Sequence, residues 1–168
     1  MVRKYFNSKG FMSIYLILFL AVFIPIMFFL VIDLPQFMAM NRKAKGALDN
    51  ASSTAITRIN EDKTTEGILE INETEARNIA KKVIVETFNL NDDLTVNENS
   101  SIPDTPKIEI LIVNNPNERP YHETPNGKFY FKNPSVLIYA EIPVEASFFK
   151  FAKKTIKYTS VSQVQFKK

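Results

Sequence analysis

The stretch from Phe11 to Ile32, FMSIYLILFLAVFIPIMFFLVI, constrains this chain more than any other. It runs roughly 22 residues without a charge, about 33 Å as a helix, which matches the hydrocarbon core of a bilayer. A surface helix keeps one polar face, and this stretch has none; its polar side chains, Ser13 and Tyr15, both fall near one end. The sequence therefore predicts a membrane-spanning helix followed by a domain of ordinary size. Secretory signals have apolar cores of about 7–15 residues and then a small-residue cleavage site. This run is longer, and Asp33-Leu34-Pro35-Gln36 supplies no such site, so a retained anchor is expected.

Arg3, Lys4 and Lys9 precede the run, and Arg42, Lys43 and Lys45 follow it. Short basic N-terminal tails stay in the cytoplasm, which puts the following domain outside. The expected division is a basic cytoplasmic leader, 1–10, a transmembrane helix, 11–32, and an extracytoplasmic domain, 33–168. The formal charge is +3 and the leader carries no acid, so the remainder balances and nothing argues for nucleic-acid binding. With no cysteine, neither a disulfide framework nor a thiolate metal site exists, and the domain must be held by packing.

Pro25 stands inside the apolar run, where it kinks the helix or frees a carbonyl for a neighbour. Pro35 marks a bend where the chain leaves the lipid. Helical spacing resumes from Gln36 to about Asn60, with Phe37, Met40, Ala44, Ala47, Ala51, Ala55 and Ile59 on one stripe. Small residues let another backbone come close, and Gly46 lies beside them. The stripe is either the thin core helix of its own domain or a seam between molecules. Glu61 to Gly67 reads as a loop, with a short extended piece at Ile68 to Ile71.

A second helix opens at Asn72-Glu73-Thr74-Glu75, an N-cap side chain with an acid three residues on. Ala76, Ile79, Ala80, Val83, Ile84, Thr87 and Phe88 follow at helical spacing, and Asn89 to Asp93 ends it. Ile79, Val83, Ile84 and Phe88 are expected to bury against a sheet through Ile108, Ile110, Ile138 and Val164. The chain from Asn97 to Pro106 is polar and broken by prolines.

Period-two alternation then appears at Ile108, Ile110 and Ile112, at Val136 through Val144, and from Ile156 through Phe166. Pro143 implies that the second of these strands ends there or lies at an edge. Thr124-Pro125-Asn126-Gly127 signals a small hairpin flanked by Tyr121, Phe129 and Phe131. Ser147-Phe148-Phe149-Lys150-Phe151 either caps the sheet's edge or dips into the membrane surface. Helices first and strands afterwards make the expected fold α+β, with an antiparallel sheet of three or four strands.

No nucleophile elbow, phosphate-cradling glycine loop or His-Glu-x-x-His pattern occurs. His122 reads as a surface histidine in a loop, and Asp92 and Asp93 as turn residues without companions for a metal. No catalytic residue, metal or cofactor is expected. The six lysines from Lys150 to Lys168, with no acid among them, suit docking on the acidic stretch Glu61 to Glu75 or on anionic lipid.

Lys9-Gly10-Phe11-Met12-Ser13, directly before the apolar run, resembles the processing site of type IV pilins and pseudopilins. That resemblance implies cleavage between Gly10 and Phe11 by a prepilin peptidase, and an apolar helix that packs in an assembly. Tyr15 stands where pilins usually carry a glutamate. Ile32-Asp33 followed by Lys45-Gly46-Ala47-Leu48-Asp49-Asn50-Ala51 is similar to the TadE/TadG-like tight-adherence pilus proteins, over about the first 60 residues. This implies a pilin-like minor pseudopilin or pilus-assembly protein with pilus or secretion subunits as partners. Pro25, Asp33, Ala44, Ala47, Ala51 and Ala55 would then be its packing residues. A membrane-tethered binding module and a component of another envelope complex are the competing expectations.

Overall fold

The computed structural model describes residues 8–65, 68–147 and 153–165, without the side chains of 8–11, 62 and 65. One nearly continuous helix dominates: α1, Ser8–Phe28, a π-helical turn, Phe29–Asp33, and α2, Leu34–Ala55. The apolar span lies within a helical stretch of 44 residues, Met12–Ala55, about 66 Å long. The helix runs on through Pro25, and no break in the helix separates anchor from domain at Pro35. Instead the hydrogen-bond register widens just ahead of Pro35, with the Leu34 N–H donating to the Phe29 carbonyl. A proline ring meets the carbonyl four residues back, and a wider turn there relieves that contact.

Glu61–Thr65, expected to be loop, forms the short helix α3. Its Lys63 pairs with Glu70, and of the extended piece expected at 68–71 only Ile71 forms a bridge, to Ile59. Helix α4, Glu73–Phe88, begins where expected: the Asn72 side chain accepts from the Glu75 N–H at 3.2 Å. It ends at Asn89 with φ 59°, a left-handed position that asparagine tolerates. The following loop folds back on the helix end, and the Ser101 N–H and hydroxyl both donate to the Phe88 carbonyl.

Strands β1, Lys107–Val113, β4, Ser135–Glu145, and β5, Lys153–Gln163, form an antiparallel sheet in the order β1-β4-β5. Between β1 and β4, β2, Tyr121–Thr124, and β3, Gly127–Tyr130, make a separate hairpin. Its Gly127 sits at φ 132°, open to glycine alone. Pro143 corrects the expectation for β4, which continues past it and is the central strand. The physical reason is local. β1 stops with Lys107 opposite Glu141, so at Pro143 only β5 remains as a neighbour and β4 is an edge on the other side.

Helices α2 and α4 share one face of the sheet, α2 over β4 and β5 and α4 over β1. Ile84 and Phe88 are fully buried there with Ile138, Ile112 and Ile142, while Ile79, Val83, Ile108 and Ile110 pack partly buried around them. Val164 is the exception to the expected set: it lies past the end of β5 and outside the core, its N–H donating to the Pro134 carbonyl. The opposite face is covered too. Leu137, Tyr139, Val113 and Phe131 form a second cluster roofed by Phe129 of the hairpin. The β4–β5 connection at 148–152, Phe166, and the leader before Ser8 lie outside the described residues.

Candidate functional site

The apolar residues from Met12 in α1 to Val31 in the π-helical turn are almost all exposed. In water such a face would demand cover; in lipid it needs none. Gly10 and Phe11 lie in its first turns, and Pro25 is half-exposed midway. Asp33, at the join, is fully buried within the chain itself. These four predicted residues are strung along one rod and do not converge on a cavity.

The alanines behave oppositely, and of the two roles open to them in the sequence they take the one inside their own domain. Ala44, Ala47, Ala51 and Ala55 are buried in the core of their own domain, against the sheet and α4. Their small size serves close approach of α2 to β4 and β5. Gly46 takes no part in this approach, for a side chain there would meet open space.

At the far end of the stripe lies a polar interlock. The Ser52 hydroxyl is 2.9 Å from both the Ser160 and Ser162 hydroxyls of β5, and Ser160 donates to the Asp49 carboxylate at 2.7 Å. Ser52 and Ser160 are buried. Such a network costs little when every member is satisfied, and it fixes the register of helix on sheet. The signal was present in the sequence: serines at inward strand positions 160 and 162 opposite a serine within an alanine face.

His122 belongs to β2 rather than a loop. It faces β1, with Nε2 3.3 Å from a Glu109 carboxylate oxygen, and so tethers the hairpin to the sheet. Asp93 accepts from the Thr95 hydroxyl and N–H; these bonds hold its carboxyl below the usual value. Burial pushes the Tyr139 phenol up to about 12, aided by its 2.6 Å bond to Glu141, and that bond and Lys157 hold Glu141 low. Lys153 and Lys157 do not reach the acids at 61–75. They pair with their register partners on β4, Glu145 at 3.7 Å and Glu141 at 3.1 Å. Among the described residues no group of three or more His, Cys, Asp or Glu could hold a metal.

The outward hairpin face carries Tyr121 and Tyr130, both exposed, with the Lys128 ammonium 3.5 Å from the Tyr121 ring centre and paired to Glu123. A cavity of about 560 Å³ lies between α2 at Gln36 to Lys43, the loop at 100–103 and the end of β4. No protein-family model, curated protein or solved structure matches the chain.

Proposed function

We propose that the chain is a single-pass, membrane-anchored assembly component, in its finer form a minor pseudopilin or pilus-assembly subunit of the tight-adherence type. The observation that carries this reading is the exposed apolar rod of α1, joined without a flexible linker to a helix locked inside the folded domain. A partner helix packed on α1 would therefore fix the orientation of the whole domain. In lipid, helix association rests on close packing and hydrogen bonds rather than on apolar burial. The seam falls on α1, since the alanine stripe of α2 is already used within the domain.

The test is crosslinking in native membranes from single cysteines along α1, at Leu16, Leu20 and Ile24, with the cell's other envelope proteins present. Crosslinks to pilus or secretion subunits with helical periodicity are expected. Mass spectrometry of the same material reads the processing step. A chain beginning at Phe11, blocked by Gly10→Val, marks a processed pseudopilin, whereas an uncleaved chain that still crosslinks marks an assembly factor. No crosslink from any α1 position would overturn the assembly reading. The Tyr121, Lys128 and Tyr130 face favours a second reading, a tethered module that presents its hairpin to a ligand. That reading expects Tyr121→Ala with Tyr130→Ala to abolish function while α1 crosslinks stay absent.

A further inference from the structure

We propose that the groove where α2 emerges from the membrane binds the headgroup of an anionic phospholipid belonging to the same bilayer. This rests on α1 spanning that bilayer. The groove, about 330 Å³, runs between α2 at Leu34, Phe37, Met38 and Asn41 and the start of β5 at Lys154 and Lys157. Leu34 follows directly on the π-turn, so at the helical rise these α2 residues occupy roughly the first 10 Å beyond the rod. The headgroup region is about 5–8 Å deep on each side, so Leu34 to Met38 fall within it and Asn41 lies at its outer edge.

The chemistry on the two walls differs in the way a phospholipid requires. Leu34 and Met38, 40% and 55% exposed, carry the apolar surface of α1 one turn further, beside β5. Across from them, Lys157 is shared with Glu141 and the adjacent Lys153 with Glu145. Lys154 makes no ion pair among the described residues, although Asp104 and Glu145 lie on the same side of the domain. Its methylene stem can lie on the apolar wall while the ammonium meets a phosphate, the arrangement by which lysines sit at membrane interfaces. Asn41 adds an amide donor at the rim. A free phosphate would satisfy Lys154 but gain nothing from Leu34 and Met38, so the structure favours the lipid-borne group.

The test uses the full chain in nanodiscs of phosphatidylcholine with or without phosphatidylglycerol, with retained lipid read by native mass spectrometry. Preferential retention of phosphatidylglycerol is expected, weakened about fivefold by Lys154→Gln and restored by Lys154→Arg. Lys82→Gln, on the exposed side of α4, is expected to change nothing. Equal retention of the two lipids, an unaffected Lys154→Gln, or displacement by inorganic phosphate as effective as by lipid would overturn the proposal. A spin label at Leu20→Cys, the chain's only cysteine, separates the two readings. A label deep in lipid with no lipid preference defeats the groove alone, and a label in water defeats the anchor with it. Circular dichroism on each variant distinguishes loss of binding from loss of fold.

Discussion

The two halves of the long helix invert the usual relation between side-chain size and burial. In α1 the large apolar residues, Leu16, Phe19 and Ile24 among them, are exposed, while in α2 the buried stripe is built mostly of alanine. A helix in lipid meets a solvent as apolar as its own side chains, so bulk there need not be hidden. A helix laid on a sheet in water must exclude that water by close approach, which favours small residues. One continuous helix thus carries two patterns, large apolar side chains all round and then a buried stripe of small ones, and the change falls at Asp33.

The hardest way to break this contrast is to empty the aqueous core. Phe88→Ala is expected to cost about 3–5 kcal/mol, from lost transfer energy and the cavity left behind, and Ile84→Ala about 2–5 kcal/mol. Urea unfolding of the detergent-solubilised chain, followed by circular dichroism, measures both. An unchanged midpoint for Phe88→Ala would mean that α4 is not docked as described. Next comes overfilling: Ala51→Leu is expected to cost about 1–3 kcal/mol, because Ala51 is fully buried in the core and added methylenes must displace its neighbours. The mirror change in the rod, Leu18→Ala, is expected to leave the domain's midpoint within about 0.5 kcal/mol. Equal losses from Ala51→Leu and Leu18→Ala would erase the distinction between the halves.

Ser52→Ala is expected to cost about 1 kcal/mol, less than a cavity because Ser160 keeps Asp49 as a partner. Gly46→Ala is expected to stabilise the chain by roughly 0.5–1 kcal/mol, since its Cβ meets open space within a helix. A gain in stability together with lost crosslinking would place a partner against Gly46. The alkaline limit gives a further check. The Tyr139 phenol is raised from 10.0 to about 12 in the folded state, so the unfolded chain loses that proton first. Stability from this group is whole below pH 10 and falls between about pH 10 and 12. Tyr139→Phe should flatten that part of the pH profile.

Particular residues show how far local pattern reaches. The N-cap at Asn72, the stop at Asn89 and the hairpin at Thr124 to Gly127 were legible because each depends on its immediate neighbours. The helix face of the sheet was legible in Ile108, Ile110, Val136 and Ile138, since a strand's period is two. The second face was harder. Leu137 and Tyr139 belong to a nearly unbroken apolar run, the mark of a strand covered on both sides, yet only the folded hairpin reveals what covers them.

By itself, the sequence determined the membrane-length rod, the two long helices, the hairpin turn and the antiparallel strands, all consequences of solvent matching and local backbone preference. Only the tertiary structure decided that the alanine stripe faces inward, that β4 is central despite Pro143, and that Lys153 and Lys157 pair across strands instead of reaching the acids at 61–75. The reason is physical: small or charged residues suit several partners equally well, and the choice among them falls to whichever distant backbone the fold brings within reach.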